Sequence, residues 1–246
     1  MKINGKYLSF VLIAVILIGT SVLSIPQNAF ATTNLASNGS FENPNSCSSP
    51  FTTLNSPSTT ITGWTVGGQS IDWICGYWAA SDGTKSIDLS GNAAGSVSQD
   101  LTTIPGATYA VTFDMSGNTD GGNTIKQLTA TAPGYSQPHT YDTTGHHSGT
   151  NWVQHSFSFT ATGTISTLSF TSNELNPYGP ALDNVNVVLS KCPAGFVPGE
   201  RDNTCVPSNT SIPEFPFSFS LVIIFVAVTA VYLGIRQKMI PGFKSF

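Results

Sequence analysis

Charge is what this sequence most lacks. Only 9% of its 246 residues are Asp, Glu, Lys or Arg, and 9 basic against 13 acidic residues leave a net charge of −4. Cations this sparse form no basic patch, which excludes nucleic acid as a partner. Short catalytic signatures are missing too: there is no GxSxG elbow, no HExxH and no P-loop. Carboxylates that hydrolysis of sugars would need are present at Asp72, Asp82, Asp88, Asp100, Asp114, Asp120, Asp142, Glu174 and Asp183, but no pair has a diagnostic spacing. The expectation is a protein that is not an enzyme, with glycoside hydrolysis a distant third possibility. In place of charge there are Thr, Ser, Asn, Gln and Gly, a composition that suits an exported protein and hydrogen-bonds neutral polyols.

Long apolar runs occur only near the two ends. Lys2 and Lys6 precede an apolar run over 8–18, and Ala29-Phe30-Ala31 has the small-x-small form of a signal-peptidase site. Residues 1–31 therefore read as a secretory signal, with an uncleaved anchor as the alternative. Residues 217–235 carry no charge, and at ~1.5 Å per residue they just cross a ~30 Å hydrocarbon core. Arg236, Lys238 and Lys244 follow this run, while Glu214 precedes it. That asymmetry places the tail 236–246 in the cytoplasm and the domain outside. A buried core helix is the alternative, but a β domain of this size has nothing to bury one in. What lies between is a domain over 32–190, long enough for a core of its own, and a membrane-proximal stub over 191–216.

Cysteine is also scarce, at four residues. In an exported chain these read as two disulfides, for which three pairings exist. Cys47–Cys75 and Cys192–Cys205 are favoured because each closes a local loop. Closing the second would contribute ~3 kcal/mol in the chain-entropy model. Zinc is the weaker reading, since neither pair has CxxC spacing and no His lies near Cys192.

Helical periodicity is absent between the two ends; alternation of period two is everywhere. Ile87/Leu89, Val97/Gln99/Leu101 and Tyr109/Val111/Phe113/Met115 alternate, with reversals at Ser90-Gly91-Asn92 and Pro105-Gly106-Ala107. Strands are also predicted over 60–66, 70–78, 126–132, 152–160, 164–172 and 181–189, and a short strand-like segment over 34–42. Residues 43–58, pinned by Cys47, and residues 133–150, with Tyr135, Tyr141 and three of the four histidines, read as loops. Nine or ten short, regularly spaced strands predict an all-β antiparallel sandwich of the jelly-roll kind.

Several motifs then fall in a familiar order: NGSFE at 38–42, Gly63-Trp64, Ile71-Asp72-Trp73, Tyr77-Trp78, SDGTKSIDLSG at 81–91, Ser98-Gln99, PGATYAVTF at 105–113 and GPALDNV at 179–185. Over residues 34–188 the chain resembles the choice-of-anchor C family of prokaryotic surface proteins. That family is itself similar to a plant cell-wall family of galactose-binding-like jelly rolls. Ile212-Pro213-Glu214-Phe215-Pro216, ahead of the apolar run, resembles the PEF-type sorting signal of archaea, with Pro213, Glu214 and Phe215 as its core. These resemblances imply a surface-displayed, carbohydrate-binding domain without established chemistry, attached through its span or handed to another anchor by an archaeosortase. The partners implied are polysaccharides or glycoproteins of the envelope. A structural or adhesion protein that binds protein partners is the alternative.

The resemblance also implies a structural calcium joining the first and last strands, for which Glu42 and Asp183 would be the carboxylate ligands. The alternative is that these two carboxylates cap turns or accept backbone amides. For sugar binding the candidates are exposed aromatics, chiefly Trp73, Tyr77, Trp78 and Tyr178, with Tyr135, Tyr141 and Trp152 behind them, whereas Trp64 reads as core. Five residues separate Trp73 from Trp78, so on one continuous strand they face opposite ways unless Gly76 kinks it. His146 and His147 lie in a Gly/Thr/Ser loop, and the four histidines, His139 and His155 included, read as solvated and not as metal ligands. Asn38 and Asn209 head N-glycosylation sequons.

Overall fold

A computed structural model describes residues 33–199 and 203–208. The predicted signal peptide, the apolar run at 217–235, the sorting motif and Asn209 lie outside the described residues. Among the described residues no helix is long and apolar enough to cross a membrane.

Alternating side chains need two sheets to bury their apolar faces against each other, and that is how the chain folds. The strands in chain order are β1 (Phe51–Asn55), β2 (Thr65–Gly68), β3 (Ser70–Ile74), β4 (Ser86–Asp88), β5 (Gly95–Thr102), β6 (Thr108–Gly117), β7 (Ile125–Ala132), β8 (Tyr135–Asp142), β9 (Val153–Thr160), β10 (Ile165–Ser172), β11 (Pro180–Lys191), β12 (Phe196–Pro198) and β13 (Cys205–Pro207). A six-stranded sheet runs β1-β3-β4-β11-β6-β9 and a five-stranded one β2-β5-β10-β7-β8, while β12 and β13 form a separate ribbon. All ladders are antiparallel, so the structure is an all-β antiparallel sandwich.

Between the sheets lie Ile71, Trp73, Ile87, Val111, Phe113, Met115, Leu128, Leu168, Phe170 and Val187, all 2% exposed or less. Trp64 is there too, as expected of a Trp in a β-sandwich, and its indole N–H donates to the Asn38 carbonyl at 3.0 Å. Burying a ring of this size stabilises only if its N–H keeps a partner.

Three elements differ from expectation. Residues 34–42 form turns and not a strand, with Leu35 donating its amide to Val187 on β11 and Phe41 fully buried. The stretch 43–58 holds β1, which pairs with β3 from Phe51↔Ile74 to Asn55↔Ser70. Its Pro- and Ser-rich flanks hide five residues that gain strand partners only through the tertiary fold. Within 133–150, β8 pairs with β7 across the two-residue reversal Pro133-Gly134. The strand carries Pro138, but β8 is the edge of its sheet, where a missing amide donor is tolerated. Both favoured disulfides are present, Cys47–Cys75 and Cys192–Cys205.

Candidate functional site

The outer face of the six-stranded sheet carries the residues that alternation turns away from the core. Thr53, Asp72 and Asp88 stand side by side across β1, β3 and β4, as do Phe51, Ile74 and Ser86. Such a row would be plain solvent-facing sheet, but loops rise around it. β3 stops at Ile74, and Gly76 follows with φ +109°, a conformation L side chains rarely adopt. The turn it permits folds Tyr77 and Trp78 back over the sheet's outer face. Trp78 is 8% exposed, donates its indole N–H to Ser86 at 2.9 Å and packs with Ile74 and Ala181 in a small cluster of their own. The loop after β8 closes over it: a Cβ at Gly149 would overlap the Trp78 ring.

Beside this cluster lies a cleft of ≈ 300 Å³ lined by Phe51, Thr53, Asp72, Ile74, Tyr77, Trp78, Asp88, Gly91, Asn92, Asn118, Asp120, Pro177 and Tyr178. Four separate loops and three strands contribute to it. Tyr77 is 46% exposed, its ring edge-on to Phe51 at 5.7 Å and tilted on Trp78 at 5.6 Å. Its hydroxyl donates to Asp120 Oδ2 at 2.7 Å, a bond that raises the phenol pKa above its ordinary value. On the opposite wall Tyr178 packs its ring flush on Gly121, where any Cβ would collide with it.

Polar groups on the floor divide into those already committed and those still available. Asp88 is fully buried and accepts from the Ser90 amide at 2.9 Å, the Gly179 amide at 3.1 Å and Asn118 Nδ2 at 2.9 Å. Burial nonetheless pushes its carboxyl up to about 7, because loss of water outweighs three donors. Asp72, one strand over, is also held up by burial, against a 2.6 Å bond from Thr53 Oγ1. Asp120 and Asn92 are exposed at the rim.

Behind the cleft is a residue that sequence reasoning missed. Lys126 is fully buried and its ammonium donates to the carbonyls of Gly121 at 2.7 Å and Tyr178 at 2.8 Å. It thereby ties together the two loops that carry Asp120 and Tyr178. Burial lowers its pKa, while Glu174, Asp88 and Asp120 oppose the shift. In the sequence it was one Lys at the head of an alternating strand, with nothing to mark it. Phe51 was equally unmarked, in a presumed loop, and Asp120 stood only in the roll of carboxylates, in a short polar turn.

Of the four aromatics expected at a binding surface, Tyr77, Trp78 and Tyr178 line this cleft, and Trp73 does not. Trp73 is 1% exposed in the main core, with its N–H given to the Phe41 carbonyl at 3.0 Å. Both tryptophans are buried, on opposite faces of one sheet, because Gly76 ends the strand between them. Tyr135 stacks on Phe157 at 4.0 Å, Tyr141 is buried with its hydroxyl on the Thr150 carbonyl, and Trp152 packs on the Trp78 cluster.

The expected calcium ligands hold a turn instead. Glu42 Oε1 accepts the amides of Thr84 and Lys85, both at 2.7 Å, and Oε2 accepts the Thr84 hydroxyl at 2.8 Å. Lys85, 6% exposed, sets its ammonium 3.3 Å from Oε2, 2.9 Å from the Glu42 carbonyl and 3.2 Å from Asn45 Oδ1. Burial alone would raise the Glu42 pKa, but the bonds from Thr84 and Lys85 hold it below its ordinary value. Asp183 accepts the Ser81 and Asp82 amides on Oδ2, at 2.7 and 2.9 Å, and its own neighbour's amide on Oδ1. Every one of these carboxylate oxygens already faces a donor, and a lysine supplies the positive charge beside Glu42. These residues do not fit a calcium ion, which needs six to eight oxygens free to turn toward it.

Asn38 does not fit its sequon role either. Its Nδ2 donates to the carbonyls of Asn43 and Thr62, both at 2.9 Å, and its Oδ1 accepts the Asn43 amide. No N–H is left to replace with a glycan.

Comparison with known proteins adds the following. Halomucin from Haloquadratum walsbyi is 33% identical over 207 residues, covering 78% of this chain, and the chain spans about 2% of halomucin's length. Among solved structures, TmCBM61 in complex with β-1,4-galactotriose is 13% identical at a TM-score of 0.42, covering 65% of this chain and all of that one. The CBM22-1 xylan-binding domain from Paenibacillus barcinonensis is 16% identical at a TM-score of 0.41, covering 57% of this chain and 94% of that domain. Likenesses of that size place no ligand on this chain. The match that decides kinship runs over residues 34–188, nearly the whole sandwich, and by it the chain belongs to DUF642, a protein family of unknown function.

Proposed function

We propose that this domain binds carbohydrate, without catalysis, in the cleft on the outer face of the six-stranded sheet. One observation carries the reading: Tyr77, Phe51 and Tyr178, from three distant parts of the chain, wall a cleft whose floor and rim offer Asp72, Asp120 and Asn92. Aromatic faces stack on the apolar side of a pyranose, and carboxylate and amide groups accept or donate to its hydroxyls. A purely structural protein would cover these rings against its neighbours, yet Phe51 is 40% and Tyr77 46% exposed. The non-catalytic reading is supported by the way Asp88 is committed to three donors.

The setting we infer is the cell surface, with envelope polysaccharide or glycoprotein as the ligand. The basic–apolar start, the uncharged run at 217–235 and the PEF-like tail support export and anchoring, with an archaeosortase as the processing partner. Kinship with halomucin is in keeping with that setting.

A glycan array probed with residues 32–211 tests the reading. Binding to neutral oligosaccharides is expected, reduced at least ~10-fold by Tyr77→Ala or Tyr178→Ala while the melting temperature stays within about 2 °C. Binding that both substitutions leave unchanged would put the site elsewhere, and no binding at all would favour the structural alternative.

A further inference from the structure

The histidines do not behave alike. His146 and His147 are exposed on the loop after β8. His139 and His155 instead meet, with Nδ1 3.3 Å from Nδ1 and the rings nearly perpendicular at 86°. His139 stands on β8, the edge of the five-stranded sheet, and His155 on β9, the edge of the six-stranded sheet. No ladder joins those two strands, so the imidazole pair spans an open side of the sandwich. Phe113 clamps both rings, stacked on His155 at 5.4 Å and edge-on to His139 at 5.0 Å.

Hydrogen bonding engages three of the four ring nitrogens. A neutral imidazole has one N–H and one lone pair. The two Nδ1 atoms share one proton, and Tyr135 Oη meets His139 Nε2 at 3.0 Å. That leaves His155 Nε2 buried without a partner in either tautomer. An ion held on Nδ1 would leave that Nε2 unchanged, so the observation that matters is how the two Nδ1 atoms converge from strands that no ladder joins.

We propose that His139 and His155 bind a late first-row divalent transition ion, of the Zn²⁺, Cu²⁺ or Ni²⁺ class, through their Nδ1 atoms. Two imidazole nitrogens each ~2.0–2.1 Å from a tetrahedral ion stand ~3.3 Å apart, the separation found here. Tyr135 holds His139 through its other nitrogen, the outer contact by which metal-bound imidazoles are oriented. Both rings are half-buried, so the remaining coordination positions open to water. Among the described residues no third His, Cys, Asp or Glu joins them, which makes the site an exchangeable one and not a closed structural zinc. Burial holds both imidazoles below their ordinary pKa, with His155 adding to the effect at His139 and Asp114 on β6 opposing it at His155. They are neutral at neutral pH, the form that ligates. A bound ion would tie β8 to β9 and so one sheet to the other.

The test is thermal melting of the full chain after chelation, with Zn²⁺, Cu²⁺ or Ni²⁺ added, or Ca²⁺ as the control. A rise of several degrees is expected with the transition ions and none with Ca²⁺. The rise should vanish in His139→Ala and persist in the double variant His146→Ala/His147→Ala. Because His155→Ala leaves a hole beside Phe113, the second ligand is checked by Cu²⁺ electron paramagnetic resonance. Two nitrogen ligands are expected in the native chain and one in His139→Ala. No rise, or a rise that survives His139→Ala, overturns the proposal.

Discussion

Two tryptophans five residues apart show how differently neighbouring side chains are used. Trp73 fills the space between the sheets, so Trp73→Ala should lower stability by about 3–5 kcal/mol in urea unfolding. Tyr77→Ala should lower it by about 1 kcal/mol or less, since that ring is half in solvent. Lys85 gives a second contrast at this scale. Its ammonium serves Glu42 and Asn45 at once, and removal in Lys85→Met should cost roughly 1–3 kcal/mol. Because that ammonium occupies the place beside Glu42, calcium added to the chelated protein should leave its melting temperature unchanged. Asn38, with every amide position bonded, should be found unmodified by mass spectrometry of the protein. None of this was visible in the residues alone, because a lysine, a glutamate and an asparagine look the same in sequence whether solvated or caged.

Among the elements, those whose own pattern alternates were legible. β5, β6, β7, β9 and β10 lie where Val97–Leu101, Tyr109–Met115 and the other alternating runs put them. β1 and β8 were both read as loops, the first because Pro, Ser and Asn surround it; the second carries Pro138. Both are edge strands, and an edge needs only one partner, so its sequence is less constrained. β1 matters to the proposed site because Phe51 and Thr53 line the cleft, and Cys47–Cys75 ties its approach to the end of β3. Those cysteines are 28 positions apart in the chain, for which the chain-entropy model gives about 3–4 kcal/mol. Replacing both by Ser should therefore lower stability by that order and weaken the proposed glycan binding. Replacing Cys192 and Cys205, whose bond closes the ribbon β12–β13, should leave binding intact.

For the whole molecule, pH is the informative variable. Asp88 and Asp183 have carboxyls pushed up to about 7 by burial, far above their unfolded value near 4. A raised folded pKa contributes stability that is fully present below the unfolded pKa and is lost as pH rises through the folded one. Stability should thus increase as pH falls from 8 to 6.5, by on the order of 1 kcal/mol or slightly more for the two groups together. Below 6.5 the trend should flatten, because His139 and His155 have lowered pKa values and their contribution is lost as pH falls. Melting curves at half-unit steps check this; stability that instead rose from pH 6.5 to 8 would contradict the burial of the two carboxyls.

By itself the sequence determined the class of fold, the disulfide partners favoured by loop closure and the buried place of Trp64, since alternation, turn residues and local spacing are short-range properties of the chain. It also named Tyr77, Trp78 and Tyr178, but as a list without a location. Only the tertiary structure decided that Gly76 folds Tyr77 back onto the sheet, that Trp73 belongs to the core, and that Lys126 joins two loops behind the cleft. It alone brought His139 and His155 together across the sandwich's open side. The physical reason is common to all of these. Each depends on which strands become neighbours, and the chain separations involved, 101 residues for Tyr77 and Tyr178 and 52 for Lys126 and Tyr178, leave no periodic trace in the sequence.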